Sequence, residues 1–109
     1  MMNHLDHYNI IYEQQAQEDL QEILLYYATV GGYELAESIS TQIMTSIAQL
    51  DIMPNRCQIS DFSDSIRKLT IQDLPYVAYF DVLGFNVHVL EIIHGSRNQN
   101  FLYEKLKNR

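Results

Sequence analysis

A chain of 109 residues that is 47% apolar can bury one core and is too short for two, so it reads as a single domain spanning 1–109, with 1–7 and 98–109 as flexible tails. Its formal net charge of −7 disfavours a polyanion partner, and its single cysteine, Cys57, excludes an internal disulfide and the paired-cysteine spacing of a structural metal site, so neither a metal nor another cofactor is expected. The first residues lack a basic start followed by an apolar run, and no later segment is apolar enough to span a bilayer, which points to a cytoplasmic protein without a membrane partner.

In chain order, residues 8–12 form a short β-branched and aromatic run, the best candidate for a first strand. The period then changes. Ala16, Leu20, Ile23, Leu24 and Tyr27 recur at helical spacing, while Glu18, Asp19 and Glu22 fall mainly on the other side, which predicts an amphipathic helix over residues 15–29 ended by Gly31-Gly32. Leu35, Ala36, Ile39, Ile43, Ile47 and Leu50 predict a second helix, with Glu34 and Glu37 favouring its positive end and Pro54 marking its exit. A loop of a few residues between them makes an antiparallel αα-hairpin. Met44 and Met53 read as core filling near its end, and His4 and His7 as solvent-facing residues.

Residues 55–65 read as a polar loop, and strands return after it. Residues 65–71 alternate imperfectly, and residues 72–75 turn the chain. Two β-rich runs, 76–82 and 87–94, joined across Leu83-Gly84-Phe85-Asn86, then read as a hairpin that delivers His94 and Arg97 to one edge of the sheet. The expected class is α+β with order β-α-α-β-β-β, a two-helix hairpin packed on a small antiparallel sheet. Phe101, Leu102 and Leu106 in the last residues suggest packing on the core.

Charge divides the chain. Residues 1–55 hold eight carboxylates and no Lys or Arg, whereas residues 56–109 hold seven basic and six acidic side chains, so all positive charge lies in the C-terminal half. The eight tyrosines, without interleaved Lys or Arg, read as residues bridging core and surface rather than as a base-stacking platform.

Three features resemble the RelE/ParE superfamily, the toxins of bacterial type II toxin-antitoxin modules. They are Ala16-x-x-Asp19-Leu20-x-x-Ile23-x-x-Tyr26, then Ile47-x-x-Leu50-x-x-x-Pro54, and Pro75-Tyr76 through His94-Gly95-Ser96-Arg97. Together they cover most of the chain. The resemblance implies a small bacterial toxin neutralised by a cognate antitoxin. RelE-like members cleave messenger RNA on the ribosome, and ParE-like members inhibit DNA gyrase by binding.

RNA cleavage without a metal needs a base for the 2′-hydroxyl, positive charge for the phosphorane and an acid for the leaving oxygen. His94, Arg97 and Tyr103 are the candidates for those catalytic roles, and the Arg97 to Tyr103 spacing is similar to that of RelE-type nucleases. Against this, Val77 stands where those nucleases carry an arginine, and the lysines they place on the helices are missing, the first basic residue here being Arg56. The chain is thus expected to be closer to the ParE branch, a binding inhibitor of gyrase rather than an enzyme. Arg67, Lys68, His94 and Arg97 are its target-binding residues. The alternatives are a metal-independent endoribonuclease whose partners are the ribosome and mRNA, and a homologue that keeps antitoxin binding without toxicity. The plainer roles are a hydrogen-bonded strand end for His94, a structural ion pair for Arg97 and packing for Tyr103.

Overall fold

A computed structural model describes residues 7–96 and 106. The elements are β1 (Asn9–Tyr12), α1 (Gln14–Gly31), α2 (Tyr33–Ala48), β2 (Gln58–Ile59), β3 (Arg67–Thr70), β4 (Tyr76–Leu83) and β5 (Asn86–His94). Short 3-10 turns at Gln49–Asp51 and Pro54–Arg56 lead out of α2. Two helices pack on one sheet, the expected α+β class.

The sheet differs from the expected one in two respects. Its order is β1-β5-β4-β3-β2, and it is mixed, because β1 runs parallel to β5 while the other neighbours are antiparallel. Reading strands joined by turns finds only antiparallel neighbours; a parallel pair needs a long crossover, supplied here by the helices and the three strands that follow them. The second difference is β2, two exposed residues inside the expected polar loop. Only its pairing to Lys68 and Arg67 makes it a strand.

Helix α1 buries Ala16 and Ile23, and α2 buries Ala36, Ile39, Ile43 and Ile47. All of these except Ala36 meet Ala78, Phe80, Val87, Val89 and Ile92 from β4 and β5 in the main core. Met44 and Met53 are exposed instead, because the inward arc of α2 is already filled by its isoleucines and Met53 lies in the turn beyond. One residue, Gly32, joins the helices, at φ +90° and ψ 174°, where only glycine sits without strain.

The face of the sheet turned away from the helices has its own cluster, Ile66, Tyr79, Leu90 and Ile93, with Leu106 packed among them. Both faces of β4 and β5 are therefore covered, which explains why burial is nearly unbroken along the middle of each strand. A β-bulge serves the second face: Tyr79 pairs with Glu91 and Phe80 with Val89, so Leu90 is the extra residue on β5. The hairpin turns at Gly84-Phe85, and Gly84 at φ +60° supplies the first central position of a type II′ turn. The expected tails at 1–7 and 98–109 lie largely outside the described residues. Of these positions, His7 bridges to Ile52 and Leu106 is helical and buried.

Candidate functional site

Strand β5 outruns its neighbour on one side. β1 ends at Tyr12, opposite Val89, and Glu13 N–H donates to the Val89 carbonyl (3.0 Å) before the chain turns into α1. On the other side Ile93 pairs with Val77, and Gly95 N–H donates to the Pro75 carbonyl (2.7 Å). Backbone groups alternate along a strand, so those of Ile92 and His94 point away from β4, into the space β1 leaves uncovered. His94 thus lies at the end of an interior strand, not on an edge strand.

Helix α1 forms the opposite wall. Gln15, Asp19, Glu22 and Tyr26 recur at spacings of four, three and four and share one side of the helix. Asp19 Oδ2 accepts Ile92 N–H at 3.0 Å, and its Oδ1 accepts the Gln15 side-chain amide at 2.9 Å. A carboxylate that reads as solvated from the sequence in fact satisfies an otherwise uncovered strand N–H. Between the walls lies a cleft of about 380 Å³, lined by these four side chains with Tyr76 and residues 91–94.

Its aromatic end is a chain of rings. Tyr26 stands edge-on to Tyr27 (centroids 5.0 Å), Tyr27 to Tyr76 (6.5 Å) and Tyr76 to His94 (5.6 Å). Burial, with the Tyr27 hydroxyl adding to it, pushes the Tyr76 phenol well above its ordinary pKa. The His94 side chain is exposed, and its Nδ1 accepts Ser96 N–H at 3.2 Å, with the Ser96 hydroxyl 2.8 Å away. A backbone N–H can only donate, so Nδ1 carries a lone pair and the neutral ring carries its proton on Nε2. In that state His94 offers a donor to a ligand.

The other candidates do not gather here. Arg67 pairs with Phe80 on the helix-side face, and its guanidinium donates to the Cys57 carbonyl at 2.6 Å, tying β3 to the turn before β2. Lys68 pairs with Tyr79 on the opposite face and lies 4.0 Å from Asp61. Their β4 partners stand four and three residues from Tyr76, the partner of His94, or roughly 10–13 Å along the strand. Arg97 and Tyr103 lie outside the described residues. Asp19, Glu22 and Tyr26 are cleft side chains that sequence reasoning missed, although their shared helical spacing was a usable signal.

A family model for the ParE toxin of the parDE type II toxin-antitoxin system matches residues 10–99. The chain belongs to the ParE toxin family. This ParE-family fold is similar to a chain of the chromosomal ParDE system from P. aeruginosa, at TM-score 0.75 and 24% identity over 81% of this chain and 96% of that one. It is also similar to the isolated E. coli RelE toxin, at TM-score 0.50 and 13% identity over 93% and 97%. No curated relative matches the chain. The ParE-family chain is a type II toxin of the RelE/ParE superfamily, as its three sequence features implied, and is closer to the ParE branch, as Val77 and the lysine-free helices implied.

Proposed function

We propose that this toxin is neutralised by a cognate antitoxin and acts in the cytoplasm by binding DNA gyrase, without cutting RNA. The observation that carries the choice is the ring of His94. A general base must offer a lone pair to the 2′-hydroxyl, and the lone pair of the neutral ring is spent on Ser96 N–H. The same ring presents Nε2–H outward, which suits recognition.

Electrostatics support the reading. The cleft beside His94 is lined by the carboxylates of Asp19 and Glu22, which would repel a phosphodiester and destabilise a phosphorane. Arg67 and Lys68 are engaged elsewhere, at Cys57 and Asp61, and Val77 fills the position where RelE-type nucleases carry arginine. His94 and the basic C-terminal residues from Arg97 onward are the target-binding surface of this proposal.

Pulse labelling of DNA, RNA and protein synthesis within minutes of inducing the chain alone tests it. DNA synthesis is expected to fall first, and the purified chain is expected to inhibit gyrase supercoiling, with inhibition lost when the chain is cut after Arg97. Early loss of protein synthesis with cleaved mRNA would replace this reading by the ribosome-dependent nuclease and give His94, Arg97 and Tyr103 catalytic roles. Normal growth would mark a homologue that keeps the fold without the poison.

A further inference from the structure

We propose that the cleft between α1 and the uncovered end of β5 is an arginine-reading docking site, in which an extended segment of the antitoxin lies beside residues 92–94 and places a guanidinium against Asp19, Glu22 and Tyr26. The proposal rests on the reading that an antitoxin binds this chain, and deepens it by naming where and through what chemistry.

The backbone provides the first requirement. Ile92 C=O and His94 N–H face the cleft, an acceptor and a donor on the side of β5 where β1 has ended. Ile92 N–H is already held by Asp19, so a docking strand has this short stretch to pair with rather than a full ladder. Main-chain pairing of that kind supplies affinity with little sequence preference, and a side-chain pocket must supply the specificity.

The pocket chemistry selects a planar cation. Asp19 and Glu22 sit one helical turn apart on the same wall, and Tyr26, 58% exposed, adds an aromatic ring a turn further on. A guanidinium reads carboxylates through its fork of N–H donors and stacks on a tyrosine face, whereas an ammonium does only the first. At the far end Tyr76 and the outward Nε2–H of His94 close the cleft. A nucleic acid is disfavoured by the two carboxylates. Symmetric pairing of this wall with the same wall of a second copy is disfavoured as well, since residues 1–55 carry eight carboxylates and no Lys or Arg to offer in return.

The test is an NMR titration of the full chain with a short blocked strand-forming peptide that has a central arginine flanked by valines. The same peptide with citrulline in place of arginine serves as the neutral isostere. The expected result is shifts of the Ile92 and His94 amides, with affinity at least about tenfold weaker for the citrulline peptide and for the double variant Glu22→Gln, Tyr26→Leu. Both side chains are exposed, so the double variant should keep the fold, and an unchanged amide spectrum away from the cleft checks that it does. Absence of shifts at millimolar peptide, shifts centred elsewhere, or equal binding of both peptides would overturn the proposal.

A second arm separates the site from the partner. A candidate antitoxin is selected by growth rescue of cells expressing the chain and is then tested for binding to the wild-type chain and the double variant. Rescue with weaker binding to the variant supports the proposal, and rescue with unchanged binding overturns it. Arginine-dependent peptide binding without rescue would sink the antitoxin as occupant while leaving the cleft a guanidinium site.

Discussion

Asp19 shows how much one carboxylate does in this fold. Seated in the largely polar first half of α1, it closes the strand N–H that β1 fails to reach, and its second oxygen is steadied by Gln15. Asp19→Ala would leave the Ile92 N–H without that acceptor, and we expect a stability loss of about 1–3 kcal/mol in urea unfolding, with faster amide exchange at Ile92 than in the wild type. Tyr76 gives a pH prediction of definite sign. Its folded pKa lies above its unfolded value, so the folded chain holds the phenolic proton more tightly. That contribution is complete below about pH 10 and is lost as pH rises further. Urea midpoints should fall between about pH 9 and about pH 11, and fall less steeply in Tyr76→Phe. Burial raises Tyr12 in the same direction, so the variant keeps part of the slope. Identical slopes in both proteins would remove Tyr76 from the account.

At the scale of elements, the αα-hairpin depends on a single linking residue. Gly32 accepts Ala36 N–H through its carbonyl and donates its own N–H to Ala28, so it closes α1 and opens α2 at once. A Cβ placed there meets nothing within 4 Å, so the effect of Gly32→Ala is one of backbone conformation alone. A loss of about 1–3 kcal/mol follows from φ +90° for an L-residue, and an unchanged melting temperature would show that the hairpin relaxes without cost. The bulge at Leu90 is the other local device. By inserting one residue into β5 it serves the second face with Leu90 without shifting Val87, Val89 and Ile92 out of the first.

At the scale of the whole molecule, a layered arrangement explains why two tests of stability should both be large. Phe80 is fully buried between the sheet and the helices, and Leu106 is 6% exposed on the opposite face. Phe80→Ala is expected to cost about 3–5 kcal/mol and Leu106→Ala about 2–5 kcal/mol, measured by chemical unfolding. A negligible effect at Leu106 would mean that the second face is stable without that side chain. The same arrangement sets the electrostatics, since the half of the chain that supplies the helices contains no lysine or arginine and presents Asp19 and Glu22 beside the end of β5.

The sequence by itself determined the helices, the final hairpin and the family resemblance, because periodicity and turn chemistry are local and each is written within a few residues. The stripe from Ala36 to Leu50 and Gly84 in the turn are legible without any knowledge of what they pack against. Tertiary structure alone decided that β1 lies parallel to β5, that Gln58 and Ile59 pair, and that Asp19 turns to a strand rather than to water. Asp19 and Ile92 stand 73 residues apart and the partners on β1 and β5 stand 77 apart, and no spacing rule spans such distances, while Gln58 and Ile59 carry no alternation that would mark them as a strand. The cleft belongs to the same class. Its walls come from the first helix and the last strand, and it exists because one strand stops before its neighbour does.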